Sequence, residues 1–279
     1  MVIYLLIFAY IPMVGIIVAF KRYNYPDGVF GSPWVGLRNF QFFFGTQDAW
    51  RITRNTIGYN VVFIVLSIVF SVILALLLYE LSNKIAIRLY QTTMFLPHLL
   101  SWVVVAYMAY AFLGPNGLIN KWTGVFVNWY NSVKPWIIIF PIATVWKGVG
   151  MNALIYYASL MGIDSEYFEA AAIEGATRFQ ITRKITLPFL YPTITILSIL
   201  AVGRIFNADF GLFYQLPMGS TMTLETTDVI ETYTFRALKD QGNIGLSSAV
   251  GLFQSVVGLI LVLFTNWIVK RVDPERALY

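Results

Sequence analysis

The chain has 279 residues, 58% of them hydrophobic and 12% charged, against about 45–50% apolar and about 25% charged in an ordinary soluble domain. This excludes a soluble globule, and the formal charge of +5, spread without a long basic run, fits cations flanking membrane spans more simply than nucleic-acid binding. The absence of cysteine also excludes disulfides, thiol catalysis and thiolate metal sites.

In chain order, six apolar stretches at residues 2–20, 57–79, 91–113, 136–160, 189–210 and 245–269 each approach the ~20 residues that cross a bilayer core. They predict an all-α polytopic membrane protein, with residues 1–279 forming one transmembrane domain. The alternating strands of an outer-membrane barrel are absent from the sequence. The first stretch lacks the basic flank and small-residue cleavage site of a secretory signal, so it reads as a retained helix, with native cationic residues expected ahead of it. Loop 114–135 carries Trp122, Phe126, Trp129 and Tyr130, the composition of a segment at the water interface. In loop 211–244, Met218, Gly219 and Ser220 form a flexible approach to a helix predicted over 223–237. Pro97, Pro141 and Pro192 predict helix kinks. His98 predicts a hydrogen bond at the first kink, and Asn60 a packing or hydrogen-bonding role.

Orientation follows the density of Lys and Arg in the loops. Segments 80–90, 161–188 and 270–279 hold eight, including Arg276, in 49 residues; segments 21–56, 114–135 and 211–244 hold nine in 92. The first set is therefore expected in the cytoplasm, with both termini. The longer loops 21–56 and 211–244 are expected outside, where both would meet a soluble partner within cross-linking reach of Asp228 and Glu231.

The inner loop 162–188 is unlike a simple connector. Asp164 and Ser165 predict a helix start, with Glu166 and Glu169 placed where the helix dipole favours anions. A helix carried onward puts Glu169, Ala172 and Ala176 on one narrow face of small side chains. Gly175 can instead break it, giving a second short helix over 177–185 that ends before Pro188. The resulting helix–turn–helix suits insertion into a cleft of another protein.

These residues carry a resemblance. Glu169, Ala170 and Ala171, then three residues, Gly175, nine residues, and Ile185, Thr186, Leu187 and Pro188 resemble the signature cytoplasmic loop of ATP-binding-cassette importer permeases. The similarity extends through "FLPHLLSWVVV" from Phe95, "VWKGVGMNALIYYASLMGID" from Val145 and "TTDVIETYTFRAL" from Thr226. It points to the polysaccharide and complex-oligosaccharide branch, related more distantly to maltose-type permeases. The resemblance implies the type I importer fold of six transmembrane helices with a cytoplasmic coupling helix, in a prokaryotic cell membrane. It also implies that Glu169, Ala170, Ala171, Ala172, Gly175, Ala176, Leu187 and Pro188 belong to the loop that docks on an ATPase, with Glu169 pairing a basic residue there. The implied partners are a second, different permease, two ATPase subunits carrying ATP and magnesium, an external solute-binding protein, an oligosaccharide and the surrounding lipids. No G-x-x-x-x-G-K-[ST] loop occurs in this chain, so no phosphate cradle is encoded and no cofactor is expected in it.

Lys147 lies near the middle of the fourth stretch and Arg204 about two-thirds along the fifth, where a charge costs at least ~2.5–3.5 kcal/mol on insertion scales. Trp146, Gly148, Met151 and Asn152 surround the first, and Asn207 and Asp209 follow the second. Aromatic, small and hydrogen-bonding residues are what a wet sugar site needs. In maltose-type relatives the matching segments line the translocation cavity, which makes Trp146, Lys147, Gly148, Met151, Asn152, Arg204 and Asn207 candidates for the substrate path. Arg204 can alternatively pair with Asp209 or snorkel outward, and Lys147 can pair with the second permease. Two intramembrane cations also fit an acidic oligosaccharide. The rival readings are an importer of a non-sugar solute and an ion-coupled carrier using Lys147, Arg204 and Asp209 as a relay. A membrane enzyme is disfavoured by one His and no paired intramembrane acids.

Overall fold

The structure is a computed structural model and describes residues 2–272; Arg276, used above for orientation, lies outside the described residues. Ten helical elements position the sites discussed below: α1 (2–20), α2 (Arg38–Phe44), α3 (Gln47–Tyr79), α4 (Lys84–Leu99), α5 (Trp102–Leu113), α6 (Trp136–Leu160), α7 (Ser165–Ile173), α8 (Arg178–Gly203), α9 (Ile230–Gln241) and α10 (Ile244–Val272). Among the described residues the β structure is a single bridge between Lys21 and Trp34. Among the described residues five helices are long and apolar enough to cross a membrane, within α3, α6, α8 and α10 and over Trp102–Thr123, which carries α5 onward, and residues 6–20 form a shorter apolar helix. The predicted fourth stretch coincides with α6. Three others are displaced, each for a physical reason.

The stretch 91–113 is not one helix. α4 begins at Lys84, where Asn83 accepts from the Ile85 and Ala86 amides, and it ends at Leu99. Leu100 and Ser101 are extended, and the Ser101 side chain caps α5. Pro97 lies inside the last turn of α4, where its ring disfavours regular continuation. The second stretch is lengthened to Gln47 because Thr46 caps it and its polar first turns find partners in the 220s. The stretch 189–210 is shifted towards the N-terminus: α8 starts at Arg178 and stops at Gly203, leaving Arg204 at the cap and Asn207 and Asp209 beyond it. The second loop helix therefore does not end before Pro188. A π-helical turn over Thr182–Thr186 widens the ladder where Pro188 cannot donate, and the helix runs through. The loop helix expected over 223–237 is instead α9, which begins after the extended Asp228 and Val229 and follows short turns over Thr221–Thr223 and Leu224–Thr227.

α3 and α4 pack on α6, α8 packs on α10 and α6, and the end of α1 packs on α10. Close approach is purchased with small residues, as between membrane helices generally. A Cβ added at Gly150 of α6 would lie 1.9 Å from the Met94 carbonyl oxygen of α4. One core cluster, built on Tyr59, Trp136, Phe140, Phe213 and Leu216, closes the end of the bundle that carries α9. Its Phe140 and Phe213 rings are 4.5 Å apart, a contact that adds about 0.5–1.5 kcal/mol beyond burial. A second cluster, Val72, Ala75, Tyr156, Leu160, Ile163 and Leu190, closes the end below the 162–188 loop.

Candidate functional site

The loop is built by two caps. Asp164 accepts from the Glu166 amide at 3.1 Å and starts α7. Gly175, at φ +77°, ends it: the Ala176 amide donates to the Ala171 carbonyl and the Gly175 amide to the Ala172 carbonyl, both at 3.0 Å. That is a Schellman closure, which needs a left-handed residue at this position. Thr177 then opens α8 with a capping box, exchanging bonds with Gln180. The pair is seated on the span ends. Ala171 is buried, Phe168 packs on Tyr79, and the Arg178 guanidinium pairs with Glu80 at the end of α3.

Because Gly175 breaks the helix, Glu169, Ala172 and Ala176 do not form the single face that an unbroken helix would give. Ala172 and Ala176 line a recess of about 440 Å³ shared with Tyr79, Glu80 and Arg178. The exposed surface includes Glu169, Ala170, Ile173 and Phe179, with Ile173 87% and Phe179 73% exposed. Among the described residues Glu169 makes no ion pair. Leu187 and Pro188 are half-buried within α8.

The second site forms where α4 breaks. The Lys147 ammonium, on α6, donates to the His98 carbonyl at 2.9 Å and lies 5.3 Å from the centre of the Trp102 ring. His98 O is one of the carbonyls orphaned at a helix C-terminus, where a cation is favoured. The expected kink-associated bond thus uses the His98 backbone. The Trp102 indole N–H donates to the Asp209 carboxylate, and Asp209 also caps the Leu212 amide at 3.3 Å. Arg204 is exposed and makes no ion pair among the described residues, so of its alternatives the bridge to Asp209 is absent there. Asn60 holds the segment by donating to the Ile205 and Asn207 carbonyls. The Asn207 side chain stays exposed.

The remaining candidates divide. Gly148 and Met151 are half-buried on α6. Asn152 donates to Ser67 at 2.8 Å and joins α6 to α3. Trp146 faces away from Lys147 into an apolar cavity of about 630 Å³ with Met108, Phe112, Ile138 and Ile142. Trp102, which sequence reasoning passed over, is the group that links Lys147 to Asp209. Its signal was Ser101, a helix-capping residue shortly after a proline.

Asp228 and Glu231 do not reach outward. The Asp228 side chain is fully enclosed, 2.6 Å from Arg236 and 3.1 Å from Arg51, and accepts from Thr232 at 2.7 Å. Asn55 ties its backbone carbonyl to α3. Glu231 accepts through one oxygen from the Ala208 amide and from Gln254, each at 2.8 Å, while its other oxygen is buried without a partner. Burial pushes the Glu231 carboxyl above its ordinary range, opposed by those two hydrogen bonds. Gln254 also donates to the Phe206 carbonyl, so Glu231 and α10 fix the 206–208 segment beside Arg204.

Comparison with known proteins fits this geometry. Residues 67–275 match the family described as the binding-protein-dependent transport system inner membrane component. Protein LplB of Bacillus subtilis (strain 168) is 35% identical over 277 residues, covering 98% of this chain and 86% of that protein. The polygalacturonan/rhamnogalacturonan transport system permease protein YteP of the same organism is 32% identical over 278 residues, covering 98% and 86%. The fold also superimposes on a chain of a bacterial ABC transporter involved in import of the acidic polysaccharide alginate, with a TM-score of 0.88 and 32% identity over 98% of this chain and 93% of that one. A second crystal structure, the alginate transporter in complex with an alginate pentasaccharide-bound periplasmic protein, matches at a TM-score of 0.86 and 32% identity, covering 97% and 91%. The apolar helices, the capped loop and these matches lead to one conclusion: the chain belongs to the family of inner membrane components of binding-protein-dependent transport systems, as an ABC importer permease.

Proposed function

We propose that this permease carries an acidic oligosaccharide across the membrane by alternating access, receiving it from an external solute-binding protein. The carrying observation is the pair Lys147 and Arg204, two cations at or beside membrane depth for which no carboxylate partner exists among the described residues. Such charges are retained at a cost unless they face water or an anionic ligand. Trp102 offers a ring face to a sugar, and Asn207 and Asp209 offer hydrogen bonds. The import of acidic polysaccharide by one structural neighbour and of polygalacturonan by one relative supports the same reading.

The motion is delivered by α8. Twenty-six residues run without interruption from Arg178, inside the docking loop, to Gly203, next to Arg204, a rod of about 39 Å. A second permease completes the path, and two ATPase subunits, which hold ATP and magnesium, grip the outward face of the loop through Glu169, Ala170, Ile173 and Phe179. Displacement of the loop then moves the Arg204–Asn207 segment relative to Lys147 on α6. The site performs no chemistry of its own. Both termini and the loop lie in the cytoplasm in this reading.

The test is uptake in vesicles containing the complete transporter and its binding protein, using a uronate oligosaccharide and its fully methyl-esterified form. Uptake should require ATP and favour the free acid. Equal uptake of both forms would refute the acidic cargo, and uptake driven by an ion gradient alone would refute the motor.

A further inference from the structure

At the end of the bundle away from Glu169, a polar cavity of about 570 Å³ lies between the chain after α1 and the start of α10. Lys21, Arg22, Tyr23, Arg38, Asn39 and Asn243 line it, and no Asp or Glu does. Its depth relative to the bilayer follows from the sequence. α1 ends at Phe20 and α10 begins at Ile244, so the cavity sits where two apolar spans meet polar chain. Tyr25, Phe30 and Trp34 are exposed in the chain between α1 and α2, and Trp50 at the start of α3, the aromatic residues that favour the headgroup level.

The walls are built. Lys21 is 3% exposed, and its ammonium donates to the Val29 and Phe30 carbonyls at 2.9 and 2.7 Å while lying 5.1 Å from the Trp34 ring centre. The Asn39 amide donates to the Ala19 and Lys21 carbonyls at 2.8 and 3.0 Å. These bonds fix the backbone that carries Arg22 and Arg38. Both arginines are exposed, and neither makes an ion pair or side-chain hydrogen bond among the described residues. The result is a polar recess of net positive charge, with two guanidinium groups free at its rim.

We propose that this cavity is a headgroup site for an anionic phospholipid, with the phosphate taken by Arg22 and Arg38. Guanidinium forks suit phosphate oxygens, so two of them without a carboxylate partner at headgroup depth suit an anionic lipid phosphate. The placement at two span ends puts Arg22 and Arg38 at headgroup depth, where lipid phosphates are always present. A bound headgroup would join the α1–α2 loop to α10, the helix on which α1 and α8 both pack.

The assembled transporter is the sample for the test. After purification in mild detergent it is exchanged against phosphatidylglycerol or phosphatidylcholine, and retained lipid is read by native mass spectrometry. Wild type should retain phosphatidylglycerol selectively, and the double variant Arg22→Gln/Arg38→Gln should lose about tenfold of that retention, whereas Lys239→Gln, elsewhere on the same end, should not. Equal retention by wild type and double variant would overturn the site. Displacement of the lipid by inorganic phosphate alone would show a soluble-anion site and also overturn the lipid assignment. Loss of solute-binding-protein capture with unchanged lipid retention would identify a protein-docking surface instead. If the double variant fails to assemble, photoreactive phosphatidylglycerol is applied to wild type. Cross-linking within 21–45 supports the site, and cross-linking confined to other segments overturns it.

Discussion

Asp228 and Arg204 belong to neighbouring segments at the same end of the bundle, yet the chain treats their charges in opposite ways. Asp228 is enclosed between two arginines and a threonine hydroxyl. Arg204 stands exposed at the end of α8 without an ion pair among the described residues. The same contrast recurs across the membrane, where Glu80 is paired with Arg178 and Glu169 is left outward. A charge whose partners lie within the chain holds the fold. A charge left open at the end of a well-fixed element is available to cargo or to another subunit.

The largest effect expected from this contrast is at Asp228. Asp228→Ala leaves the partly buried Arg236 without its carboxylate and Arg51 with Asp48 alone, 2.8 Å away, a loss of about 3 kcal/mol, and should sharply reduce recovery of folded transporter. Arg204→Met should leave yield and melting temperature unchanged. Equal losses in a thermal-stability assay would break the distinction. Next comes the cytoplasmic pair. Glu169→Lys should cut substrate-stimulated ATP hydrolysis by about tenfold or more, as expected when one coupling contact of roughly 1.4 kcal/mol or more is lost, with thermal stability unchanged. Glu80→Gln should change stability by no more than about 1 kcal/mol, because Arg178 is 85% exposed and such surface pairs are weak. Wild-type hydrolysis in Glu169→Lys would remove Glu169 from the coupling surface.

The smallest effect concerns Glu231, which has features of both groups, with one satisfied oxygen and one orphan. Its carboxyl is pushed upward from 4.5 by burial, so the folded state holds the proton more tightly than the unfolded state. Its favourable contribution is full below about pH 4.5 and is lost as pH rises through the raised folded value. Glu231→Gln should therefore flatten the fall in melting temperature above pH 4.5 while preserving uptake. An unchanged pH profile would contradict the assignment.

What could be read from sequence followed the locality of its causes. The break at Gly175 and the helix start at 177 were visible because the Schellman turn and the capping box that make them are specified within a few residues. α6 was visible because it is a bounded apolar run with Pro135 at its start. The passage of α8 through Pro188 was hidden because a π turn upstream absorbs the missing donor. The Asp228 knot was hidden because Arg51 is 177 residues away in sequence. Lys147 was conspicuous as a charge in an apolar run, but its partners depended on the break after Leu99, so neither the His98 carbonyl nor Trp102 could be paired with it beforehand.

Lys147 and Arg204, the two cations without a carboxylate partner among the described residues, serve the cargo in this reading. Uptake of a uronate oligosaccharide and of its methyl-esterified form should be compared in vesicles carrying wild-type transporter or the variants Lys147→Met and Arg204→Met, with folded complex matched between samples. The account predicts that each variant loses most of its preference for the free acid, by about tenfold for a charge-assisted contact, at wild-type yield. Unchanged preference in both variants would contradict it.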